Sequence, residues 1–320
     1  MTELTPLPGR ALTAPEFQRL AAVPAEAQWF ANIDNPQTRR AYKNDITSFS
    51  VFVGIRQPEE FRQVTRAHVL AWRSELEFKA LSGPTIRRKL AALASLFEYL
   101  CNQNAVTHNP VKGVKRPRVE SQEGKTPALG DAQARQLLDA PPADTLKGVR
   151  DRAILSVLLH HGLRRAELTA LKVKDFGQER RGVAHLRVWG KGSKVRYLPI
   201  HPHSRARVQA YLQLAGHGDQ PCTPLFKSVS HHIGSNPTQG LSPGSVYSDV
   251  VKHYLVPLGI SGDNLGPHAL RATAATCALE NHADIAKVQE WLGHSNISTT
   301  RVYDRRETRT SESPTFSIAY

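Results

Sequence analysis

Cysteine is scarce in this chain of 320 residues, which holds three, at Cys101, Cys222 and Cys277. They are too few, too scattered and odd in number for a disulfide framework or a zinc knuckle, and they read as packing residues. Long apolar runs are missing as well. No stretch approaches the roughly 18 uninterrupted apolar residues of a membrane-crossing helix, and no basic amphipathic anchor stands out. The opening residues, MTELTPLPGR, lack the positive start and apolar run of an export signal, so a cytoplasmic protein without membrane partners is expected. Histidine is plentiful, with pairs at His160 and His161, His201 and His203, and His231 and His232. None has a helical i, i+4 partner with a glutamate base, and the last two pairs lie in loop-like sequence. No bound metal is expected.

Acidic residues are in deficit. Forty-two Lys plus Arg against 28 Asp plus Glu leave a formal charge of +14. An isoelectric point near 9.9 makes a polyanion the natural partner, nucleic acid before acidic membrane. The length suggests two domains on a prior of about 150 residues each. Residues 1–24, rich in Pro, Ala and Thr, read as a flexible leader.

Residues 25–110 read as a helical domain. TRRAYKNDITSFSVFV places Tyr42, Ile46, Phe49, Phe52 and Val53 on one apolar stripe, with Arg39, Arg40 and Lys43 mostly off it. A second helix, from about Arg66 to Phe78, carries Val69, Leu70, Trp72, Arg73 and Leu76. A third follows Ser82, Gly83 and Pro84 and buries Ile86, Leu90, Leu93, Phe97 and Leu100. Arg87, Arg88 and Lys89 crowd its first turn, where positive charge opposes the helix dipole and calls for an outside partner such as phosphate. Charge alone equally permits a solvated basic face. Residues 111–128 mix proline, glycine and basic side chains as a linker does. Within them Lys112, Lys115, Arg116 and Arg118 are further candidates for DNA phosphates.

A second domain, 129–303, opens with helix signals at Asp131. DRAILSVLLHHG predicts a helix from Asp151, burying Ala153, Ile154, Val157, Leu158 and His161 and stopping at Gly162. Arg164 stands just past that stop, and Glu167 is placed to hold a neighbouring guanidinium. From about Val183 to Ile200 the period becomes two, with GKGS as the turn, which predicts a hairpin with Lys191 at its tip. GKGS is not a Walker loop: His185 stands where a glycine is needed, and Gly192 follows the lysine. A helix is expected over Ala206–Leu214, then a loop-rich run over 216–244 without an assigned role, then a helix over Ser245–Leu255.

The densest signal is PHALRATAATCALENHADIAKVQEWLGHSNISTTRVYD, from Pro267 to Asp304. Pro267 suits a first helical position, and His268 and Arg271, three apart, share a helix face. Asp284 can cap the next helix and Gly293 can end it. His294 then sits at a corner, with Tyr303 nine residues on.

The pattern H-x-x-R, then L-G-H-x-x-x-x-T-T-x-x-Y, resembles the carboxy-terminal signature of the tyrosine recombinases, the group of phage integrases and Xer-type enzymes. HGLRRAEL at 161–168 resembles that family's first-arginine box, and GKGSKVRYLPI at 190–200 its lysine hairpin. The four ordered matches cover about half of the chain. Ala272 replaces a histidine common after the second arginine, and His161 a common threonine; neither removes a reacting group.

The resemblance implies a mainly α fold with a small antiparallel β-sheet, in which a helical core-DNA-binding domain precedes a mixed catalytic domain. It implies catalysis by Arg164, Lys191, His268, Arg271, His294 and Tyr303. Tyr303 is the nucleophile, His268 the base, Lys191 the acid for the leaving 5′ oxygen, and His294 a donor to the phosphate. The phosphotyrosyl bond keeps the energy of the broken linkage, so neither a cofactor nor a metal is expected. Partners are expected to be double-stranded recombination sites, a homo-tetramer on two sites, and a possible partner recombinase or directionality factor. No arm-site-binding module is expected ahead of residue 25. The tail, 304–320, either docks on a neighbouring protomer or is a disordered end. A type IB topoisomerase, or a binding-only DNA accessory protein, is the alternative activity.

Overall fold

The computed structural model describes residues 23–118, 127–190, 194–229, 239–260, 262 and 265–305, with Pro15 and Arg19. The chain divides into two compact units, Met1–Glu120 and Ser121–Tyr320.

The first unit is helical: α1 (Ala25–Ala31), α2 (Pro36–Val53), α3 (Arg66–Phe78) and α4 (Gly83–Asn102), with a 3-10 turn at Pro58–Gln63. Asn35 caps α2 by accepting from the backbone of Gln37 and Thr38. The spine is α4, whose Ile86, Leu90, Leu93, Leu96, Phe97 and Leu100 are buried. Phe49 of α2 and Trp72 of α3 meet edge to face, 5.0 Å apart. The expected stripes are wider than the observed ones: Phe52 and Leu70 are 39% and 43% exposed.

The second unit is built on α6 (Leu146–His161), which follows α5 (Asp131–Asp139) and packs against α8 (Pro202–Ala215) and α9 (Pro267–Glu280). It begins before the expected Asp151, at the cap Thr145, whose side chain accepts from Gly148 N. Asp151 lies inside the helix as a buried partner of Arg150, at 2.8 Å. After α7 (Arg165–Ala170), three strands form an antiparallel sheet in the order β1 (Gln178–Arg180), β2 (Val183–Trp189) and β3 (Val195–Pro199). The β2–β3 hairpin is the expected one, with Val188 opposite Arg196. Strand β1 joins it through Arg181 and Gly182, both at positive φ, the turn geometry that matches strand twist.

Part of the loop-rich run, 230–238 with His231 and His232, lies outside the described residues. The helix expected over Ser245–Leu255 is composite, with a π-helical Val246–Lys252 between α-helical Pro243–Ser245 and His253–Leu255. Beyond α9, α10 (Ile285–Leu292) is capped by Asp284 and stopped by Gly293 at φ 68°, and α11 (Ser298–Arg301) leads to Tyr303. Among the described residues no helix is long and apolar enough to cross a membrane.

Candidate active site

Gly162 ends α6 in the left-handed conformation at φ 57°, and the chain turns so that Arg164 caps α7. Glu167 fixes it there. One carboxylate oxygen, Oε2, accepts from Arg164 N at 2.9 Å, and Oε1 accepts from Arg164 Nη1 at 2.8 Å. The Glu167 side chain is 6% exposed and that of Arg164 is 40% exposed. Burial pushes the Glu167 carboxyl up, but hydrogen bonds and charge from Arg196 and Arg164 outweigh it and hold the group below its ordinary range.

Arg271, on α9, is buried. Its Nη1 donates to Gly162 O at 2.5 Å; its Nη2 donates to Leu292 O at 2.7 Å and meets His294 Nε2 at 2.9 Å. Those carbonyls belong to the ends of α6 and α10, so the guanidinium joins two helix termini to the histidine corner. Burial, then the charge of Arg164, lowers its pKa to about 10.

His294 is defined at both nitrogens. Nε2 accepts from Arg271, which leaves the proton on Nδ1 to donate to Thr300 Oγ1 at 2.9 Å. Burial, then Arg271 and Arg164, lower its pKa to about 4, so the ring is neutral near pH 7. The ring of Tyr303 lies 6.1 Å from that of His294, at 25° to it. Tyr303 is buried against Ala272, Ala275, Leu279, Val288 and Leu292, and its carbonyl accepts from Thr276 Oγ1 at 3.2 Å. His268 is exposed. Its pKa is lowered by desolvation of the ring, then by Arg271 and Arg164.

Two clefts meet at Arg164. One is lined by Arg164, His268, Tyr247 and Pro267, the other by Arg164, Arg196, His294 and Thr299. Of the six residues singled out as reacting groups, Arg164, His268 and His294 line these clefts, Arg271 contacts His294 from the core, and the Tyr303 ring lies beside that of His294. The sixth, Lys191, lies outside the described residues. Among the described residues the hairpin is closed by Gly190 N donating to Lys194 O at 2.7 Å.

Residues 128–309 match the phage integrase family, and residues 34–104 match the phage integrase N-terminal SAM-like domain. The chain belongs to the phage integrase family. Tyrosine recombinase XerC of Herpetosiphon aurantiacus is 35% identical over 273 residues, 83% of each chain. Tyrosine recombinase XerD of Pseudomonas aeruginosa is 33% identical over 284 residues, 87% of this chain and 89% of that one. In fold, this tyrosine recombinase is similar to the XerH site-specific recombinase bound to a difH substrate (TM-score 0.63, 20% identity, 93% of this chain and 82% of that one). It is similar as well to a lambda integrase dimer bound to a COC′ core site (TM-score 0.62, 15% identity, 89% and 96%).

No sequence motif marks Arg196, which grips Glu167 with two hydrogen bonds, at 3.0 and 2.8 Å. Strand alternation marks Arg196 as one face of β3 and carries no sign of a partner 29 residues away. Thr300 enters the sequence pattern only as part of the motif; in the structure its hydroxyl accepts from His294 Nδ1 at 2.9 Å.

In the first unit the basic candidates separate. Arg40 and Lys43 are exposed. Arg39 and Arg87 are exposed too, and each donates to a backbone carbonyl, Ile33 O and Pro117 O. Arg88 and Lys89 both pair with the buried Asp45, and the Lys89 side chain is 13% exposed, set over the Trp72 ring. Lys112, Lys115, Arg116 and Arg118 are exposed. His160 and His161 are satisfied locally: His160 Nδ1 meets Ser204 Oγ at 2.9 Å, and His161 Nε2 accepts from His201 N at 3.1 Å.

Proposed function

We propose that this recombinase, which acts in site-specific recombination, cuts and rejoins double-stranded DNA through Tyr303, with Arg164, Lys191, His268, Arg271 and His294 as the supporting groups. The observation that supports the reading is that Arg164, His268 and His294 line adjoining clefts while Arg271 and Tyr303, from separate segments, both lie against His294.

The Tyr303 hydroxyl attacks the scissile phosphorus. A bond forms between phosphorus and the phenolic oxygen, and the bond to the 5′ oxygen breaks. The phenolic proton passes to His268, which is neutral and able to accept it because desolvation and two guanidiniums depress its pKa. Lys191 supplies a proton to the departing 5′ oxygen. Arg164, the more exposed arginine, faces the negative non-bridging oxygens, and Arg271 adds positive charge from behind. Donation from His294 to the phosphate needs a proton on Nε2, so its contact with Arg271 must be exchanged for a phosphate oxygen when DNA binds. Attack by a 5′ hydroxyl on the 3′-phosphotyrosyl bond reverses every step, and rejoining consumes no nucleotide.

Recombination joins two sites with two cuts in each, which calls for four protomers; integration, excision and resolution of an element all fit this chemistry. DNA as substrate puts the protein in the cytoplasm. The decisive test is covalent trapping on a nicked suicide duplex carrying the element's junction. Wild type is expected to form an adduct and Tyr303→Phe none. An equal adduct from Tyr303→Phe overturns the assignment of the nucleophile.

A further inference from the structure

Arg196 is not one of the six reacting groups, yet it touches the structures that hold two of them, Arg164 and His294. It lies on β3 opposite Val188, with its side chain 15% exposed. Nη1 donates to Glu167 Oε1 at 3.0 Å and Nη2 to Oε2 at 2.8 Å, a two-pronged contact. The same Oε1 accepts from Arg164 Nη1. Nε donates to Trp291 O at 3.2 Å, in the last turn of α10 before His294. Gly293 leaves room for this approach, since a Cβ there would stand 3.3 Å from Nη1.

These contacts divide the work between two arginines. A buried carboxylate facing only the half-exposed Arg164 is poorly held, because solvent and incoming phosphate both compete for that guanidinium. Arg196, less exposed than Arg164, gives Glu167 a fixed countercharge and a fixed plane. Lysine could supply the charge but not the fork together with the third bond to Trp291.

We propose that Arg196 is a positioning residue for phosphate binding: by orienting Glu167 it aims the Arg164 guanidinium at the scissile phosphate, and it ties that pair to the turn bearing His294. The inference rests on the phosphate-binding reading of Arg164 given above.

The test is single-turnover cleavage of two suicide duplexes, one with an ordinary scissile phosphodiester and one with a methylphosphonate, in which a methyl group replaces a charged oxygen. Wild type, Arg196→Lys, Arg196→Gln, Arg164→Ala and the double variant Arg164→Ala/Arg196→Gln are compared, with thermal melts alongside. Both Arg196 variants are expected to slow the phosphodiester by about 10²-fold, the scale of one preorganised donor, and the methylphosphonate far less, with the double variant no slower than Arg164→Ala. Arg196→Lys keeps charge and bulk, and it decides the matter if Arg196→Gln melts early. Equal slowing on both linkages, or effects that multiply in the double variant, overturn the proposal. If Arg164→Ala itself slows both linkages equally, the phosphate reading of Arg164 fails, and the double variant still decides whether Arg196 acts through Arg164.

Discussion

His268 and His294 stand in the field of two guanidiniums, and burial acts in the same direction. His294 falls to about 4, and His268 falls below the ordinary 6.5. A histidine with a lowered pKa is neutral above that value and protonated below it. If neutral His268 takes the proton of Tyr303, cleavage is sustained as pH drops through 6.5 and is lost only as pH falls through the lowered value. Single-turnover trapping from pH 8 to 4.5 measures this, and an acid limb centred at or above 6.5 would contradict it. Arg164 and Arg271, alike in the motif, differ in place. One faces solvent, and the other spans two helix ends from within the core.

Two glycines end the helices whose carbonyls Arg271 binds. Gly162 and Gly293 are both left-handed, and Gly162 abuts the end of α10: a Cβ on it would lie 2.9 Å from Leu292 Cδ2. Gly162→Ala thus combines backbone strain of about 1–2 kcal/mol with displacement of α10 from α6. Urea unfolding is expected to show a loss beyond the strain alone, and cleavage is expected to slow as Gly162 O shifts from Arg271. Gly177, at φ 77° with nothing within 4 Å of an added Cβ, is the control; Gly177→Ala should cost only the backbone strain and leave cleavage unchanged. Element boundaries were legible where such local chemistry marks them, as at Asp284, Gly162 and Gly293. They were not legible at β1, whose three residues are a strand only because β2 pairs with them. Nor were they at Asp151, which looked like a helix start because its partners, Arg150 and Lys147, were unknown.

Across the whole molecule, +14 implies affinity for DNA that falls steeply with salt, by about 0.9 log units per log unit of salt for each phosphate neutralised. Arg40→Gln and Lys43→Gln should each weaken duplex binding and reduce that slope by about one. Lys89→Gln should leave the slope unchanged and lower the melting temperature, since Lys89 is engaged by Asp45. Fluorescence anisotropy across a salt series decides both; an unchanged slope for Arg40 and Lys43 removes them from the interface. The sequence by itself marked most of the helices, the hairpin, the two-unit plan and the candidate reacting groups, because periodicity, caps and ordered motifs are properties of neighbouring residues. Only the tertiary structure decided that Arg271 is buried while Arg164 is open, that Arg196 holds Glu167, that His294 is neutral and that Lys89 is paired inward. Those outcomes depend on desolvation and on hydrogen bonds between residues more than 20 positions apart, which no local pattern encodes.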